Sequence, residues 1–190
     1  MKFAIVLYDN WSDFEVTILT LLFRKYADMI TIGFGPKQYV SEGQFKVLVD
    51  KKISEVDPNE LDFIVIPGGD PVKYLGDHPE TQPEFEALNS LLHTLNDQKK
   101  LIAAICGGPV FVYKSGLLKN KTWTSGIGKE DQEDYPDGNN TDGVIEVDGN
   151  LITSKGNAYV EFAVEVAKWM KLFKSEGEII EDMKWLKNQQ

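Results

Sequence analysis

At 190 residues the chain has the length of one domain able to bury a full hydrophobic core. Its 42% hydrophobic and 11% aromatic content describes a globular protein, and a net charge of −10 argues against nucleic acid and anionic membranes as partners. One cysteine excludes an internal disulfide, the opening MKFAIVLYD turns acidic at once, and no apolar run reaches membrane-spanning length, so a reducing cytoplasm is expected.

Buried-strand runs then alternate with stretches of helical period, the pattern of a parallel sheet covered by helices. KFAIVLY (Lys2 to Tyr8) reads as a strand, and DFEVTILTLLFRKYA places Phe14, Ile18, Leu21 and Leu22 at helical spacing. MITIGFG and LDFIVIPGGD read as strands ending in glycine turns, with QYVSEGQFKVLV between them as a small hairpin around Glu42 and Gly43. PEFEALNSLLHTLNDQKK is an amphipathic helix leading into the strand LIAAIC, and GGPVFVYKSGLL is a short helix closed by Gly116. TWTS, GVIEVDG and NLITS supply short strands, and AYVEFAVEVAKWMKLF is a strongly periodic helix. Residues 175–190 are expected as a helical tail packing through Ile179, Ile180, Met183, Trp185 and Leu186, the whole of 1–190 forming one domain.

The only cysteine, Cys106, stands where LIAAI ends and GGPVFVYK begins with almost no loop between them, which is the geometry of a nucleophile elbow. A residue on so sharp a turn needs small neighbours, which Gly107 and Gly108 provide. A free cysteine is often plain packing, but packing has no need of an elbow. The first turn of a helix favours thiolate, so the Cys106 pKa is expected well below the ~8.5 of a free cysteine.

Four segments, DNWSDFEV, DFIVIPGGDP, AAICGGP and LITSKGNAYVEFAVEVA, carry a resemblance to the ThiJ/PfpI superfamily, which shares the class I glutamine amidotransferase-like fold; it extends from about Lys2 to Leu172. The resemblance implies a flavodoxin-like three-layer α/β sandwich, mostly parallel, with its site at the carboxyl ends of the strands. It implies Cys106 as nucleophile, Glu15 from the first helix as its acidic partner, and the backbone N–H groups of Gly69 and Gly107 as an oxyanion hole. Gly68, Asp70 and Ser125 are expected in the pocket. On the residues alone, Glu15 also reads as an ordinary first-turn acid, and Gly68 and Gly69 as a tight turn. The resemblance further implies a homodimer, for which Trp11 and Tyr74 are candidate exposed anchors.

The departures bear on the reaction. Members of peptidase type have a histidine directly after the cysteine, where this chain has Gly107, and members of deglycase and glyoxalase type have one where this chain has Ser125. His93 belongs to an amphipathic helix and His78 to a turn, so a Cys-His triad is not supported. A cysteine and a carboxyl remain, with Glu15 as proton carrier. The expected activity is therefore that of a cysteine-dependent hydrolase or lyase acting on a small carbonyl, amide or related substrate. The alternatives are a redox-responsive protein oxidised at Cys106 and a non-catalytic binding module on the same fold. No metal-ligand set or phosphate-binding glycine motif is present, so no cofactor is expected. The acidic stretch GKEDQEDYPDGNNTDG reads either as a solvated loop or as the mouth of the pocket.

Overall fold

The computed structural model describes residues 1–35, 37–127, 134–173, 175, 177, 178, 181 and 184. Its strands are β1 (Lys2–Leu7), β2 (Asp28–Gly33), β3 (Gln38–Val40), β4 (Lys46–Leu48), β5 (Lys51–Lys52), β6 (Phe63–Ile66), β7 (Leu101–Ile105), β8 (Thr122–Trp123), β9 (Asn139–Asn140), β10 (Ile145–Asp148) and β11 (Leu151–Ser154). The helices are α1 (Phe14–Phe23), α2 (Gln82–Asp97), α3 (Pro109–Lys114) and α4 (Tyr159–Trp169). Among the described residues the main sheet runs β10-β11-β7-β6-β1-β2-β5, parallel throughout except for the antiparallel edge pair β10 and β11. Without the two edge strands β5 and β10, this is the flavodoxin-like order, in which ligand sites lie beyond the carboxyl ends of the strands.

The continuous apolar runs FIVI and LIAAI are buried at every position of β6 and β7, as strands covered on both faces require. Side-chain parity shows the two faces. Phe3 and Phe63 are register partners, stack at 4.6 Å and meet Phe23 of α1. Tyr8, of opposite parity, meets Phe111 of α3 at 5.3 Å. The helices thus cover both sides of the sheet, completing the three-layer α/β sandwich.

The hairpin forms from β3 and β4, with Glu42 and Gly43 in its connection. α2 buries Phe85, Leu88, Leu91, Leu92 and Leu95 in one stripe. Three features differ from the sequence reading: the buried side of α1, the burial of Trp11 and Tyr74, and the surroundings of the Cys106 thiol. α1 buries Glu15, Val16, Leu19 and Phe23, while Phe14 is exposed with its ring edge-on to Tyr159 of α4. TWTS supplies the short strand β8 as expected; it pairs with β9, and the segment is tied to β11 by the Thr124 N–H donating to Thr153 Oγ1 at 3.0 Å. Trp11 and Tyr74 are only 7% and 4% exposed, so neither is a surface anchor; the exposed apolar side chains include Phe45, Leu48 and Met29. The residues named for packing of the tail lie outside the described residues. No described helix is long and apolar enough to cross a membrane.

Candidate active site

Cys106 follows β7 with φ 61°, in the left-handed region that costs an L-residue about 1–2 kcal/mol. The turn is held from both sides. The Cys106 N–H donates to the Ser154 carbonyl at 2.7 Å, and the Cys106 carbonyl accepts from the Gly126 N–H at 2.7 Å. The sulfur then lies among residues without side chains. A Cβ on Gly68 would stand 2.9 Å from Sγ, one on Gly126 2.8 Å and one on Gly156 3.0 Å, all closer than a carbon can approach without displacement.

Glu15, 1% exposed in the first turn of α1, reaches the same point from the β1 side. Its Oε2 accepts the Gly68 N–H at 2.6 Å, while Oε1 has no fixed donor. The Cys106 sulfhydryl stands within hydrogen-bonding reach of the carboxyl. Burial pushes the Glu15 carboxyl up to about 7, against the opposing hydrogen bonds from Gly68 and Cys106. Burial and then the Glu15 charge push the Cys106 thiol up to about 12, which the Gly107 N–H only partly offsets. The expected acidic thiol is thereby corrected. α3 begins three residues beyond the sulfur and is only six residues long, so its dipole is too small and too distant to outweigh burial beside a carboxylate.

Cys106 and Glu15 open onto a cavity of about 630 Å³ also lined by Ser12, Phe14, Glu42, Gly69, Ser125, Gly126, Ile127, Lys155, Gly156 and Asn157. Gly69 and Gly107 are close neighbours, and among the described residues neither N–H donates to a backbone carbonyl. Gly68 packs directly on Cys106. Ser125 lines the cavity, its Oγ accepting the Ile127 N–H at 3.2 Å. Asp70 lies outside the lining, its carboxylate accepting the Val72 N–H at 3.3 Å. Neither histidine lines the cavity, and His93 contacts the Ser115 carbonyl at 2.9 Å. Of the acidic stretch, residues 128–133 lie outside the described residues. Sequence reasoning missed Gly126, Gly156 and Glu42 as site residues; each stands in a connection shortly after a strand, Gly156 at the start of the 3-10 helix Gly156–Ala158, and that is the one signal available for them.

Sheet order, elbow and carboxyl partner together define a class, the flavodoxin-like proteins with a cysteine on the turn after the fourth core strand. Within that class residues 1–169 match the DJ-1/PfpI family, and the chain belongs to that family. It is 27% identical over 180 residues to Deglycase TK1284 of Thermococcus kodakarensis, covering 91% of this chain and 97% of that protein. It is 31% identical over 156 residues to Protein DJ-1 homolog B of Arabidopsis thaliana, covering 80% of this chain but only 34% of that longer protein. The crystal structure of the DJ-1 superfamily protein Atu0886 from Agrobacterium tumefaciens superposes with a TM-score of 0.80 at 25% identity, covering 98% of this chain and 97% of that one.

Proposed function

We propose that the protein is a cysteine-dependent hydrolase or lyase that acts on a small substrate through a reactive carbonyl. The observation that carries this reading is the strained Cys106 elbow, opening onto the cavity with the Glu15 carboxyl pinned beside the sulfur. A substrate carbonyl carbon is attacked by Sγ while ionised Glu15 takes the thiol proton, so the thiol need not be acidic in the resting protein. The carbonyl π electrons pass to its oxygen, which accepts from the Gly69 and Gly107 N–H groups, each such donor lowering the barrier by about 3 kcal/mol. Glu15, now protonated, returns its proton to the adduct. With no imidazole in the cavity to protonate an amine leaving group, the arrangement suits aldehydes and ketones better than amides. The name of the Thermococcus relative, a deglycase, agrees with this reading.

The test is turnover of methylglyoxal alongside a panel of activated esters and amides. Cys106→Ala should abolish it, and wild-type kcat/KM should rise with pH through about 7 as Glu15 ionises. Activity on none of these substrates would leave the redox-responsive and binding-module readings. Oxidation of an unassisted thiol is disfavoured where the proton is held as tightly as on Cys106. A lone thiol suits a reducing cytoplasm.

The proposal extends to a homodimer. Phe45 and Leu48, 62% and 67% exposed, lie in and beside the β3–β4 hairpin and are its anchors. Sedimentation at micromolar concentration should give a dimer, and Phe45→Asp with Leu48→Asp should give a monomer. A wild-type monomer would end this part of the reading.

A further inference from the structure

Two charged side chains line the cavity without a part in the proposed chemistry, Glu42 and Lys155. The Lys155 ammonium is already engaged, donating to the Asp142 carbonyl at 2.9 Å. Glu42 is held differently. Its Oε2 accepts the Ser12 hydroxyl at 2.6 Å, and its backbone N–H donates to the Trp11 carbonyl at 3.0 Å. The next residue, Gly43, donates its N–H to Asp13 Oδ2 at 2.8 Å. The hairpin tip is thus fastened at three points to the connection between β1 and α1, and the carboxylate is fixed in position at the cavity wall. Among the described residues it makes no ion pair, and Oε1 has no protein partner.

We propose that Glu42 is the specificity-determining residue of this site, its fixed carboxylate receiving an ammonium or guanidinium group carried by the carbonyl substrate bound at Cys106. The inference rests on the reading of Cys106 as nucleophile. A preorganised carboxylate with a free oxygen accepts a charge-assisted hydrogen bond without first being ordered. Phe14 and Ile127 in the same lining offer apolar surface to the chain linking cation and carbonyl. The charge of Glu42 also reaches the reacting groups, raising the proton affinity of Glu15 and of Cys106. A bound cation offsets that field, so the right substrate promotes the ionised Glu15 that the reaction needs.

Because Cys106 is the only cysteine, thiol reagents read this cavity alone. The whole protein is labelled with cationic trimethylammonioethyl methanethiosulfonate and anionic sulfonatoethyl methanethiosulfonate, each rate normalised to that of neutral methyl methanethiosulfonate. The cationic reagent should react faster, and Glu42→Gln should lower the cation-to-anion ratio about tenfold, the effect of a unit charge across a short, partly solvated distance. Ser12→Ala, which frees the carboxylate from its tether, should lower the ratio part of the way. Glu86→Gln, an exposed acid on α2 outside the cavity, reports the effect of net charge alone and should leave the ratio within about twofold. Equal effects of Glu42→Gln and Glu86→Gln overturn the proposal. Selective labelling without turnover of any carbonyl overturns the enzyme reading beneath it, and turnover without selective labelling overturns the proposal alone.

Discussion

Replacing Glu15 with glutamine is expected to stabilise the protein above neutral pH while removing its proton carrier. The Glu15 carboxyl titrates near 4.5 in an unfolded chain and near 7 in the fold. Between those values the folded state keeps a proton that the unfolded state has released, so wild-type stability falls as pH rises through this window and levels off above it. At 1.36 kcal/mol per pH unit the loss is about 3 kcal/mol, absent below pH 4.5 and complete above 7. Glutamine still accepts the Gly68 N–H and carries no charge, so the variant lacks this slope. At pH 8 it should be more stable by up to about 3 kcal/mol, roughly 6–12 °C in Tm for a chain of this size. Iodoacetamide should also label Cys106 at lower pH in the variant, because the Glu15 charge and hydrogen bond both hold the sulfur proton. Urea melts of both proteins at pH 5 and pH 8 decide the first point: parallel changes would show that Glu15 titrates at an ordinary pH.

The second large effect is expected from Gly69→Ala. Gly69 has φ 117°, and a Cβ there would lie 2.0 Å from the Asn10 carbonyl oxygen and 2.8 Å from Trp11 Cα. Both obstacles are backbone, bonded into the bridge between Trp11 and Gly69, so no rotamer change relieves them. The variant should lose at least about 3 kcal/mol. Two other glycines separate strain from collision. Gly116 has φ 80° with nothing near its Cβ direction, so Gly116→Ala should cost about 1 kcal/mol. Gly35 has neither problem, and Gly35→Ala should be neutral or stabilising by about 0.5 kcal/mol. Urea midpoints should follow that order, and a Gly69→Ala midpoint equal to that of Gly116→Ala would show that the Asn10 contact relaxes at no cost.

The sheet and the elbow were readable because a strand buried on both faces leaves an unbroken apolar run, and β7 ends its run directly at Cys106. The buried side of α1 was not, because FEVTILTLLF is apolar nearly all round and several stripes fit its period equally well. Trp11 and Tyr74 stand in connecting segments, where no periodicity tells an inward ring from an outward one. Gly126, Gly156 and Glu42 come to the same cavity from three separate connecting segments, a closeness set by sheet order rather than by spacing along the chain. The raised proton affinity of the thiol is not legible in the sequence, because proximity to a helix start is visible there whereas the extent of burial beside Glu15 is not.

The three glycines around the sulfur divide the cavity into parts with different tolerance for change. Next to the reacting atom, apart from the Glu15 carboxyl, the walls at these glycines are main chain, and no side chain can be added there without collision. Of the side chains that line the rest of the cavity, Phe14 and Glu42 are exposed and stand at its rim. Substitutions at the rim can therefore alter which molecules are admitted while the attacking group and its amide surroundings stay the same. A chain built this way can change its diet by single replacements without passing through an inactive intermediate.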